Sequence, residues 1–101
     1  MVTLSVTRSR IRGVLLDAAG LVDVGGWDAL RNPVMTAIDQ ASGFVPGISG
    51  PDAERTTLDA YDALATHLDV ASIAEWERKA GRTQLQIVSA LHAAADRVMA
   101  T

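Results

Sequence analysis

Two histidines, His67 and His92, are the only imidazoles in a chain of 101 residues that has no cysteine. Nucleophile–base catalysis needs a Ser, Thr or Cys beside a His that an acid orients. Neither histidine lies in a motif of that kind, and the apolar periodicity places them in separate helices. Each is expected to be a surface or half-buried helix residue. Metal binding on helices wants His and carboxylates at steps such as H-x-x-x-H or E-x-x-H. Asp62 and His67 stand five apart and face poorly. Asp59 and Asp62 pair two carboxylates, but on a strip with Asp52, Glu54 and Thr66 that reads as a solvated face. Neither G-x-G-x-x-G nor a Walker loop occurs, and the glycine pair Gly25-Gly26 lacks a flanking strand. The absent cysteine excludes a disulfide framework, a thiol nucleophile and zinc–thiolate sites. The sequence therefore predicts no catalytic residue, no metal, no cofactor and no enzyme.

Composition narrows the class further. The chain is 49% hydrophobic but only 4% aromatic, so Ala, Leu and Val do the packing. That suits close-packed helices in one modest core. The formal charge is −3. A protein that grips a phosphate backbone carries a basic surplus, so nucleic acid is disfavoured as a partner. No apolar run approaches the roughly 20 residues that span a bilayer, so no membrane partner is expected. Arg8, Arg10 and Arg12 precede Val14-Leu15-Leu16 in the manner of a signal peptide, but Asp17 and Asp23 break the apolar region. A soluble cytoplasmic protein is the expectation.

The elements that position these residues follow from caps and periods. Residues 1–6 alternate as Val2, Leu4 and Val6, which is strand-like without a partner strand, and predict a frayed tail. A first helix is expected from about Ser9 to Ala19, ended by Gly20 or by Gly25-Gly26, with Arg8 and Arg12 on a small basic edge. Trp27, just after the glycine pair, should anchor the turn onto the core. Asn32-Pro33 predicts a helix start with Asn as the cap. Val34, Ala37, Ile38 and Ala41 should face inward, and Gly43 should stop that helix. The loop of residues 43–51 holds Phe44, Val45 and Ile48, which are expected to fold back over the core. Pro51 and Asp52 open a third helix with a buried stripe of Leu58, Tyr61, Leu64, Ala65 and Leu68.

Ser72 and Glu75 form an S-x-x-E capping box, and the helix they open is expected to run to Gly81. Trp76 on that helix should be largely buried against the last one. Thr83 and Gln86 repeat the box as T-x-x-Q. The last helix places Ile87, Val88, Leu91, Ala94, Ala95, Val98 and Met99 on one buried face. Its opposite side carries Gln86, Ala90, Ala93 and Arg97, short enough to accept a second packed surface. Ala90, Ala93 and Arg97 are the candidate helix-contact surface, with a homodimer as one use of it.

Leu64 to Arg82 also resembles a helix-turn-helix, with Ile73 and Trp76 in the recognition helix. The interval from turn to Trp76 is about two residues short, and Glu75 and Glu77 would repel phosphates.

Gly25-Gly26-Trp27, Thr36–Gly43 (TAIDQASG) and Ser72–Thr83 (SIAEWERKAGRT) carry a wider likeness. With Ile87-Val88, Leu91 and Ala94-Ala95 they resemble an uncharacterised family of small helical domains from actinobacteria and their phages. The likeness covers about residues 10 to 98. The family often has Trp-Asn-Asp where Trp76-Glu77-Arg78 stands here, and a cysteine that this chain lacks. Thr36 also stands in place of that family's glycine. The resemblance implies an actinobacterial or phage origin and no particular activity.

The expected fold is all-α, a compact irregular bundle of four to five short helices in one domain over residues 1–101. The expected function is a small non-enzymatic interaction domain acting on a host protein or on its own copy. The alternative is a helix-turn-helix regulator. The third reading is an enzyme or small-ligand binder with an unrecognised pocket.

Overall fold

Helix α1 spans Val2–Gly25, the longest element of a computed structural model that describes residues 2–45 and 47–100. Val14, Leu15, Ala18, Ala19 and Val22 recur at helical steps and are all buried. This helix starts seven residues before the expected Ser9. The backbone of Val2, Leu4 and Val6 is helical rather than strand-like. A growing helix gains one hydrogen bond per added residue, whereas a lone strand gains none. Met1 lies outside the described residues. The helix also passes through Gly20, because Val22 in its last turn is only 1% exposed and holds that turn on the core. It ends where Gly26 takes φ +88° and its N–H meets the Val22 carbonyl at 2.9 Å.

Helix α2 spans Val34–Ser42 and buries Val34, Ala37 and Ile38 as expected. Gly43 closes it at φ +77°. The Gly43 and Phe44 N–H groups return to the Gln40 and Asp39 carbonyls at 3.2 and 3.0 Å, a Schellman closure. Beyond it Ser49 stitches the loop to itself. Its hydroxyl accepts from Val45 N–H at 2.7 Å and donates to the Gly43 carbonyl at 3.2 Å. That local turn points outward. Phe44 is half-buried, but Val45 and Ile48 are exposed, so the loop does not fold back over the core. Pro46 lies outside the described residues.

Helix α3 spans Pro51–Leu68 with Pro at its first turn. Its buried stripe is rotated from the expected one. Thr57, Ala60 and Leu64 are central, Tyr61, Ala65 and Leu68 flank them, and Leu58 faces out. Thr57 tolerates burial because its hydroxyl donates to Asp39 Oδ1 at 2.7 Å.

Helix α4 is five residues, Ile73–Glu77, and stops before the expected Gly81. Ser72 does cap it, accepting from Glu75 N–H at 3.2 Å. Helix α5 spans Gln84–Ala100. Its capping box is complete: Thr83 N–H donates to Gln86 Oε1 at 3.0 Å, and Gln86 N–H to Thr83 Oγ1 at 3.2 Å.

The whole is an all-α bundle of five helices among the described residues. Helix α5 packs most extensively on α1, and α1 next on α2. The α1–α5 pair is antiparallel. Trp27, just beyond α1, meets Gln84 at the start of α5, while Ile11 lies beside Arg97 and Val98 near its end.

Candidate interaction surface

Trp27 and Glu77 build a polar brace between the turn after α1 and the start of α2. The Trp27 indole Nε1–H donates to Glu77 Oε2 at 2.9 Å, and the Val34 N–H donates to the same oxygen at 3.0 Å. Glu77 is only 2% exposed. Its carboxylate sits at the N-terminus of α2, where the helix dipole and unpaired N–H groups favour negative charge. Asn32 was expected to cap that helix. Instead Pro33 occupies the capping position without a side-chain bond, and Asn32 Nδ2 donates to the Gly26 carbonyl at 2.9 Å. The capping acid comes from 43 residues away. No local pattern encodes a partner that distant. The helix-turn-helix reading set Glu75 and Glu77 together against phosphate. Glu75 is exposed, and Glu77 is the buried acid.

Trp27 is half-buried and packed against the core, with its own N–H donated to Gln84 Oε1 at 3.1 Å. Trp76 is half-buried as well, less enclosed than expected. Helix α4 touches α3 rather than lying along α5. The Arg82 guanidinium covers the Trp76 ring at 4.0 Å from its centroid, and Arg82 Nε donates to the Trp76 carbonyl at 3.1 Å. A glycine turn and a charged lid replace the α5 face that was to cover it.

A second network ties α2 to α3. Asp39 Oδ1 accepts from both the Thr57 and the Tyr61 hydroxyls. Burial, and then the Asp39 carboxylate, push the Tyr61 phenol up to about 12. The arrangement locks a carboxylate between two hydroxyls and presents no open nucleophile.

The histidines stay apart. His67 is half-buried, its Nδ1 enclosed without a protein partner, and His92 is exposed. Among the described residues no three of His, Cys, Asp and Glu are grouped to hold a metal. Among the described residues no helix is long and apolar enough to cross a membrane.

An open, mostly apolar groove of about 530 Å³ lies where α1, α3 and α5 meet. Ile11, Ala63, Ala94 and Val98 form its floor, and Asp59, Asp62, Thr66 and Arg97 its rim. The expected contact surface divides across this geometry. Ala90 is 8% exposed and belongs to the core, because α5 is wedged between α1 and α3 and buries a wide arc. Ala93 is half-buried, and Arg97 stands exposed on the groove rim. Arg8 and Arg12 are half-buried while Arg10 is exposed, so the basic edge of α1 is not a free strip. Sequence reasoning missed the groove, since it needs three helices at once. The acidic spacing of Asp59 and Asp62 was its one visible signal.

Fold and brace together define a small all-α domain whose recurring tryptophans serve the architecture. Residues 6–97 match DUF6197, a family of unknown function, and the chain belongs to that family. No curated protein and no solved structure matches it.

Proposed function

We propose that this chain is a small non-enzymatic protein–protein interaction domain, and that the α1–α3–α5 groove is its binding surface. The observation that supports this is the groove itself: an apolar floor from three helices, bordered by charge and open along its length. Interfaces use that plan, an apolar centre inside a polar rim. The partner is a host protein if the chain is phage-encoded, as its sequence likeness suggests, and the place of action is the cytoplasm. A second copy of the chain is the other candidate, though Ala90 no longer lies free to join it.

The helix-turn-helix alternative has less support. Helix α4 has five residues, about 7 Å at 1.5 Å per residue, which is short for a groove-reading helix. Glu75 on its outer side opposes phosphate.

The test is a photo-crosslinking residue placed at exposed Thr66 on the groove rim, with exposed Gln40 on α2 as the control position. The Thr66 variant is expected to trap one protein in host cells that the Gln40 variant does not trap. That protein, purified, should bind the wild-type chain, and Ala63→Arg should weaken the complex at least about tenfold by filling the groove floor. Equal capture at both positions, or binding indifferent to Ala63→Arg, refutes the assignment. A steeply salt-dependent DNA complex would favour the regulator instead.

A further inference from the structure

We infer that the α1–α3–α5 groove receives an amphipathic helix of another protein, one that carries Lys and Arg along one edge. This names the partner chemistry of the surface proposed above and rests on that reading. The floor is apolar, and two of its four residues, Ala63 and Ala94, are small. Large side chains at one-turn spacing on an incoming helix can seat between them, as in helix-in-groove recognition.

Charge selects the occupant. The α3 wall presents Asp59 and Asp62 one turn apart. Asp62 also borders a neighbouring hollow with Met35, Tyr61 and Ile73, and another with Glu54 and Leu58. Asp52 and Glu54 continue the acidic surface at one end of the helix and Asp69 at the other, and all three are exposed. Leu58, half exposed at 50%, supplies an apolar contact amid these acids. The cations close to this face include Arg55 beside Asp59, Arg97 across the groove, and Arg10 of α1, which lines a hollow with Asp52. Acid therefore outnumbers base along α3. That field draws a basic edge and repels nucleic acid or an anionic bilayer.

The test uses the full chain, isotope-labelled for amide NMR, and two designed helical peptides. Both carry leucines at one-turn steps; one has lysines on its polar edge and the other glutamates. The lysine peptide is expected to shift amides of residues 59–66 and 94–98, with affinity falling as salt is raised. The glutamate peptide should leave them unmoved. The double variant Asp59→Asn, Asp62→Asn should weaken lysine-peptide binding roughly tenfold, the worth of two exposed ion pairs. Equal binding of both peptides, shifts that map outside the groove, or no binding of either overturns the inference. The wild-type comparison alone decides if the double variant folds poorly. If the protein trapped through Thr66 binds in a manner sensitive to Ala63→Arg but indifferent to the double variant, the basic occupant is wrong while the interaction surface stands.

Discussion

A single buried oxygen, Glu77 Oε2, joins the turn at Trp27 to the first turn of α2. Removing it leaves two enclosed donors without an acceptor, each costing about 1–3 kcal/mol. Glu77→Ala should therefore destabilise the chain by about 2–6 kcal/mol, read as a lower urea midpoint. Glu77→Gln keeps one acceptor oxygen and should lose roughly half as much. Equal midpoints for wild type and Glu77→Ala would show that the brace carries no stability. Tyr61 gives a second test, because it is the sole tyrosine and its ultraviolet titration is unambiguous. Its folded value of about 12 lies above the ordinary 10.0. The neutral phenol thus stabilises the fold below the unfolded value, and that contribution is lost as pH rises through the folded one. The tyrosinate midpoint should sit near 12 in the native protein and fall in Asp39→Asn, which removes the neighbouring charge. A native midpoint at the ordinary value would contradict this environment.

Helix ends decide much of the architecture between residues 43 and 83. Asp69 closes α3 at φ +56°, the only non-glycine residue with positive φ among those described. Its N–H and that of Val70 return to the Thr66 and Ala65 carbonyls at 3.2 and 3.1 Å. Left-handed backbone strains an L-residue, although Asp bears it better than most. Asp69→Gly should raise stability by roughly 0.5–1 kcal/mol once the added freedom of the unfolded chain is set against the relieved strain. A lower thermal midpoint in this variant would mean that the Asp69 side chain contributes more than its backbone costs. The short α4 has a different logic. Five residues cannot sustain a helix alone, so Ser72 at one end and buried Ile73 and Glu77 hold it in place.

At the scale of the molecule, α1 and α5 form a long antiparallel pair with alanines in the seam. Ala18, Ala19, Ala94 and Ala95 are all at most 1% exposed. Small residues let the two backbones approach closely, and such packing tolerates added volume poorly. Ala18→Leu should cost about 1–3 kcal/mol in urea unfolding, although it adds apolar surface. A neutral or stabilised variant would mean that the seam is looser than its burial indicates. With a radius of gyration of 12.9 Å, near the value of about 13 Å for a compact chain of 100 residues, the bundle leaves little slack.

Local chemistry determined what local chemistry can reach. The Thr83–Gln86 box, the Ser72 cap, the Gly43 closure and the period of α2 were legible because each involves residues at most five apart, whereas the α5 period placed Met99 inside and that residue is 46% exposed in the last turn. The all-α class followed from them. Tertiary structure decided the rest, since it turns on partners far apart in sequence. Thr57 moves inward and Leu58 outward because Asp39, 18 residues earlier, satisfies a hydroxyl there. Glu77 is buried because Trp27 and Val34, 50 and 43 residues away, both donate to it. Ala90 enters the core because α5 is covered on two sides, whereas periodicity describes a helix covered on one. The groove exists only where three helices converge, so no window along the chain contains it.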